Sequence, residues 1–271
     1  MNYFIFTRMH LRTAYRDLTD AYMEYRTRLF ELTAYPALLN QTDQRFRHVL
    51  VTSADLPRKW RDRLKKYGRS EVLEVDQTAL LPGQAVKHFI EANASAGGCI
   101  SANLDSDDML PRKWVAQCYG AAKQHKSGRA HIYSLKTCVY SAQRGGVMHL
   151  LPYGPPTFAV SEREDFGGLW SVTHKQIGEI CSHDLGGIDA PVLMLAHQAN
   201  MCTGPSFGEK REAGEITYTA KEMRRIYGVD KGAIDEALAM DLHKEFVERE
   251  KVLREKYEAV RDAEKEKGNQ A

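Results

Sequence analysis

The sequence predicts an α/β protein: a mostly parallel central sheet flanked by helices in Rossmann-like order, followed by a charged helical extension. Three observations carry that prediction. Strand-like apolar runs alternate with helix-like segments from the N-terminus to about residue 125, and such alternation argues for parallel strands joined by crossover helices. The 271 residues suit one α/β domain with an appendage, or two small domains. Beyond about residue 215 the composition turns charged and helix-forming, which sets the domain at 1–215 and the extension at 216–271.

Tyr3–Met9 reads as the first, buried strand; its apolar run is too short for a signal peptide, and no charged segment leads it. Tyr22, Tyr25, Leu29, Leu32 and Tyr35 recur at spacings of three and four, which predicts a helix from about Asp20 to Leu39. Pro36 is expected to break or kink it, because proline lacks the N–H and clashes with the preceding turn. His48–Thr52 is the next strand. A basic helix, Pro57–Lys66, ends at Gly68. Glu71–Val75 alternates like a strand, Gln84–Ala94 returns to helix, and Ala96–Gly98 is a turn. Cys99–Leu104 is a strand that runs into an acidic cluster. Pro111 is expected to open the following helix, where its missing N–H is harmless, and Ser127–Gly128 to end it.

His131–Leu135, Thr137–Ser141 and Val147–Leu151 read as short strands, with Gly145–Gly146 as a turn. Pro152, Pro155 and Pro156 stiffen the next loop, and glycine pairs follow at Gly167–Gly168 and Gly186–Gly187. A short helix is expected from near Asp189 or Pro191, carrying His197. Thr219-Ala220-Lys221-Glu222 is a capping box, and Gly228 ends that helix. From Asp230 to about Lys267 the chain is again helix-forming. Phe246, Leu253 and Val260 recur every seven residues beside Tyr257, a short seam that either docks on its own domain or pairs two chains as a homodimer.

A net charge of +2 gives no strong field toward nucleic acid or membrane. No apolar stretch reaches the roughly 18 residues of a transmembrane helix. The five cysteines are scattered, without a C-x-x-C pair, so neither a disulfide framework nor a zinc site is expected, and a cytoplasmic location fits. The basic stretch Lys59, Arg61, Arg63, Lys65 and Lys66 is a solvated helix face, or a face that meets anionic lipid at the inner side of a membrane.

The chemistry gathers at Asn103-Leu104-Asp105-Ser106-Asp107-Asp108. Three carboxylates within four positions repel unless a cation or water offsets them. On a loop after a strand, Asp105 and Asp107 present oxygen ligands suited to Mg2+ or Mn2+, and ligands collect at the carboxyl ends of strands in such folds. A D-x-D alone is common, and a solvated turn with Asp108 capping the next helix is the bland alternative. An EF-hand loop starting at Asp105 fails, since Leu110 and Ala116 stand where glycine and glutamate are required. An aspartyl-phosphate phosphatase would place the motif after its first strand and follow it with an acidic pair; here the motif comes late and no Asp–Asp pair follows.

The run from Ala94 to Pro111 resembles the central signature of GT-A glycosyltransferases of the family 2 type: a small-residue turn, an apolar strand, the acidic motif, then a proline. Arg28-Leu29-Phe30-Glu31 through Pro36-Ala37-Leu38-Leu39-Asn40-Gln41, with His197-Gln198-Ala199-Asn200, is more closely similar to the rhamnosyltransferase family. The resemblance spans about residues 1–205. A tryptophan that usually precedes the H-x-x-N element is missing, because Pro191-Val192-Leu193-Met194 stand there.

The resemblance implies a metal-dependent glycosyltransferase taking a sugar, rhamnose by the family's label, from a nucleotide-diphosphate donor to a glycan, lipid-linked or other acceptor hydroxyl. Donor contacts are implied at Thr7, Arg8, Thr52, Asp55, Asp105 and Ser106. Metal ligation by Mn2+ or Mg2+ is implied at Asp107, Asp105 and His197. An inverting transfer needs a general base; Asp165, with Glu164 and Glu162 as alternatives, lies on a suitable loop, and His174 and Asn200 are candidate acceptor contacts. Two other readings stay open: a phosphohydrolase or nucleotidyltransferase using the same carboxylates, and a non-catalytic binding protein on this scaffold.

Overall fold

The computed structural model describes residues 1–12, 18–95, 98–124, 131–134, 137–140, 148–151, 158–161, 181–184, 190–195, 197, 215–239, 252 and 255. Strands β1 (Asn2–Arg8), β2 (Arg47–Ser53), β3 (Ser70–Val75) and β4 (Cys99–Asn103) alternate with helices α1 (Asp20–Leu32), α2 (Ala34–Leu39), α3 (Arg58–Leu64), α4 (Pro82–Asn93) and α5 (Trp114–Gln124). The short strands are β5 (His131–Ser134), β6 (Thr137–Tyr140), β7 (Met148–Leu151), β8 (Phe158–Ser161), β9 (Cys181–Asp184), β10 (Val192–Leu195) and β11 (Glu215–Ile216). Helices α6 (Ala220–Tyr227) and α7 (Lys231–Ala239) follow.

The main sheet runs β3-β2-β1-β4-β8-β5-β9. Its first four strands are parallel, and β8 is antiparallel to both β4 and β5. This is the mostly parallel α/β arrangement the sequence predicts. A smaller sheet runs β10-β6-β7-β11.

Strand β1 holds the centre because both its faces are apolar. Tyr3 and Ile5 join a large core with α1, α2, α3 and α5, whereas Phe4 and Phe6 join a smaller one beside α4. That division follows from the alternation of side chains along a strand. Each fully buried Phe or Ile contributes about 1.5–3 kcal/mol. Met223, Ile226, Tyr227 and Ile234 of α6 and α7 belong to the large core, so the first two helices beyond residue 215 pack into it.

Three expected elements differ. The long helix breaks at Thr33 (φ −126°, ψ −83°), not at Pro36. Pro36 instead lies in the first turn of α2, where a missing N–H costs no bond. Pro111 does not open α5, which starts at Trp114 and whose first N–H turns back to the Pro111 carbonyl (2.9 Å); Asp108 therefore caps no helix. The stretch expected to be helical before His197 is strand β10, parallel to β6. A four-residue buried apolar run carries no period that separates strand from helix.

The basic helix α3 is matched within the chain: Arg63 pairs with Glu24 (2.6 Å) and Glu31 (3.1 Å), Lys65 and Arg61 with Glu74, and Lys59 with Asp20. Cys99, Cys118 and Cys138 are free and buried. Among the described residues no helix is long and apolar enough to cross a membrane.

Candidate active site

The register of β1 on β4 builds the site. Phe6 faces Asn103, and the Leu104 N–H closes the ladder on the Phe6 carbonyl at 2.9 Å. Two residues further along each strand, Arg8 and Asp105 emerge side by side. The Arg8 Nη2 and Nε groups donate to Asp105 Oδ1 at 2.8 and 3.2 Å. With side chains 60% and 41% exposed, this pair adds at most about 1 kcal/mol to stability. Asp105 raises the Arg8 guanidinium further above its usual range, against the cost of burial.

The chain then turns, with the Asp108 N–H donating to the Asp105 carbonyl (3.1 Å), and buries Ser106, Asp107 and Asp108. Asp107 has two partners. Arg26 of α1 donates from Nη2 to Oδ1 at 3.0 Å and also donates to the Ser106 hydroxyl. His197 Nε2 lies 2.8 Å from Oδ2. Burial works to raise the Asp107 carboxyl, but the Arg26 guanidinium and the His197 hydrogen bond outweigh it and hold it well below the usual carboxylate range. Burial likewise opposes charge on Arg26, and Asp107 outweighs it. For Asp108 the help of Arg26 and Arg8 is outweighed: burial and the neighbouring Asp107 and Asp105 charges push it well above the usual range.

An ionised Asp107 accepts, so His197 Nε2 is the protonated ring nitrogen in this state. The 3.5 Å approach of Arg26 Nη1 to the same nitrogen is then a contact between two donors rather than a bond. Tyr25 covers the imidazole, its ring 5.7 Å away at 71°.

His197 reaches Asp107 through backbone pairing. Met109, just past the acidic turn, exchanges both hydrogen bonds with Leu193 of β10 (2.8 and 3.0 Å). The acidic turn is thereby stitched to a strand that ends two residues before His197.

These contacts allow a test of whether a divalent cation fits. Neighbouring ligands on an octahedral ion with bonds of about 2.1 Å lie about 3 Å apart, close to the 2.8 Å between Asp107 Oδ2 and His197 Nε2. Asp105 does not join them: among the described residues no three His, Cys, Asp or Glu side chains converge on one point. Mg2+ and Mn2+ commonly take one or two protein ligands and complete the shell with phosphate and water. The residues fit such a two-ligand site, Asp107 and His197, provided the ion takes the place of the Nε2 proton, with Asp105 outside it.

The other expected donor contacts are placed differently. Thr7 is fully buried, its hydroxyl 3.0 Å from His48 Nε2. Thr52 is also fully buried. Asp55 is at the surface, accepting from Ser53 (2.6 Å) and Arg12 (2.7 Å), and has no bond to the acidic cluster. Asp165, Glu164, Glu162, His174 and Asn200 lie outside the described residues. Arg26 was not foreseen. The signal for it is present: Tyr22 and Phe30 stand four residues either side, so Arg26 is a charge on an apolar helical face, and a buried charge demands a partner.

The α/β sheet thus gathers paired guanidinium and carboxylate groups at its strand ends. The sequence family described as "Putative rhamnosyl transferase" matches residues 8–182, well over half of the chain, and the chain belongs to that family of glycosyltransferases. The match takes in Arg8, Arg26, Asp105 and Asp107; His197 lies beyond it. No curated protein matches the chain. Among solved structures it is similar to S. aureus TarS residues 1–349. The complex with UDP-GlcNAc is 10% identical, with TM-score 0.39 over 88% of this chain and 71% of that one. The complex with UDP is 14% identical, with TM-score 0.35 over 58% of this chain and 38% of that one. A further TarS 1–349 structure is 16% identical, with TM-score 0.32, and the match spans 51% of this chain and 36% of that one.

Proposed function

We propose that the chain transfers a sugar of the rhamnose class from a nucleotide-diphosphate donor to an acceptor hydroxyl, with inversion. The observation that supports this most is the register of β1 on β4, which brings Arg8, Asp105 and Asp107 together at the strand ends, within the segment that places the chain in its family. Arg8, exposed at the rim, offers the paired N–H donors that suit phosphate oxygens. Asp105 beside it is assigned to the ribose, and Asp107 with His197 to a divalent cation. Such an ion, when bound, stabilises the charge that develops on the departing diphosphate. Charges fixed before the substrate arrives need no reorganisation during the reaction. The base that deprotonates the acceptor is assigned on the sequence alone, to Asp165 or to Glu164 or Glu162.

The test is a thermal-shift panel of UDP, GDP and dTDP and their sugars, with and without Mn2+. At a hundredfold excess over Kd a bound nucleotide adds about 2.7 kcal/mol of stability, a rise of about 5–10 °C for a chain of this size. Protection by one base over the others names the donor class. A melting temperature that no nucleotide moves, under either condition, refutes the proposal.

A further inference from the structure

Arg26 poses an electrostatic problem for any cation at Asp107. Its guanidinium holds Oδ1 at 3.0 Å while His197 holds Oδ2. An ion bonded to that carboxylate would lie about 5 Å from a like charge, and the repulsion between them opposes binding. Arg26 has little freedom to retreat. Its side chain is only 12% exposed, Ser106 holds the same nitrogen, and the apolar neighbours Tyr22, Met23, Leu29 and Phe30 on α1 are all buried.

Two of the three carboxylates at the strand ends also have a counter-charge already. Asp105 has Arg8 and Asp107 has Arg26. A divalent cation added by itself brings two positive charges in excess to carboxylates, Asp105 and Asp107, that are already paired. A nucleotide diphosphate removes that excess, and its oxygens supply the ligands that two protein groups do not.

We infer that Arg26 makes binding of a divalent cation conditional on the donor: the chain alone excludes the ion, and a nucleotide diphosphate and the ion bind together. This rests on the donor reading above. Arg26 is a positioning residue in this scheme, acting through Asp107. Linkage makes the effect reciprocal, so the ion tightens the nucleotide by the same factor as the nucleotide tightens the ion.

The experiment is Mn2+ binding to the full chain, followed by electron paramagnetic resonance of the free ion, with and without UDP, GDP and dTDP. For the wild type the expected result is an affinity about tenfold to a hundredfold higher with the accepted nucleotide than without it, after correction for Mn2+ held by free nucleotide. Arg26→Gln keeps hydrogen-bonding capacity but removes the charge; it is expected to bind Mn2+ alone about tenfold or more tighter than the wild type. Arg26→Lys keeps the charge and is expected to keep the coupling. Wild-type chain that binds Mn2+ equally well with and without a nucleotide shown to bind overturns the inference and leaves the donor reading standing. So does an Arg26→Gln chain, folded by circular dichroism, that gains no affinity for Mn2+. If that variant does not fold, the wild-type comparison decides alone. Failure of every nucleotide to bind overturns both.

Discussion

Buried charged and titratable side chains make two cases at the residue scale. Arg26 and Asp107 are a pair whose net contribution is small but whose separation is costly: removing one partner of a buried ion pair costs about 3–5 kcal/mol. Loss of activity in Asp107→Ala would thus mix chemistry with stability, and Arg26→Gln carries the same cost, which is why that variant is read by Mn2+ binding in folded protein rather than by activity. His48 is the second case. It bridges Ser70 (2.7 Å) and Thr7 (3.0 Å) across three strands, and burial lowers its pKa to about 3. His10, buried near Arg26 and Arg63, is lowered to about 3 as well. The unfolded chain takes up these protons near pH 6.5 and the folded chain does not. Stability is therefore whole above pH 6.5 and falls as pH drops toward 3, by about 1.4 kcal/mol per pH unit for each histidine. Urea unfolding at pH 7 and pH 5 should show a loss of about 2 kcal/mol from His48 alone, a loss that His48→Gln removes. An unchanged pH slope in that variant would show that His48 is not buried neutral.

At the scale of elements, much of the order was legible because it rests on local pattern. The capping box at Thr219 and Glu222 forms as written, with bonds of 3.2 Å and 2.8 Å. Gly228 ends α6 in the left-handed region at φ 75°, where the absence of a Cβ matters. It matters twice, because a Cβ there would lie 2.5 Å from Asn40 Cβ. Gly228→Ala is expected to cost more than about 1 kcal/mol, read as a lower melting temperature, and Asn40→Gly in the same chain should recover only the steric share. Wild-type melting of Gly228→Ala would contradict this close approach. The strand β10 was not legible, since four apolar residues fit either element and only pairing with β6 and Met109 selects one.

For the molecule as a whole, α6 and α7 decide how much of the chain folds together. Met223 and Ile234 are fully buried in the large core, and two such side chains contribute about 3–6 kcal/mol, against a total stability of about 5–15 kcal/mol for a typical domain. A chain ended after residue 215 is expected to lose its cooperative urea transition. One ended after residue 245 is expected to retain it. A sharp transition with an unchanged midpoint in the shorter chain would mean that these helices are an appendage after all.

By itself the sequence determined the alternation of β1 to α5, the acidic turn after a buried strand, and the family. Each of these is a local property, set by period, turn residues or a contiguous motif. Tertiary structure decided which charges meet. Arg26 and Asp107 are far apart in the chain, and so are Asp107 and His197; only the parallel register of β1 on β4, the packing of α1 and the Met109–Leu193 bridge bring them within 3.0 Å. Asp107 looked like a cation ligand awaiting its ion. In the folded chain it already has a counter-charge, because a carboxylate that is taken out of water must be paired before any substrate arrives.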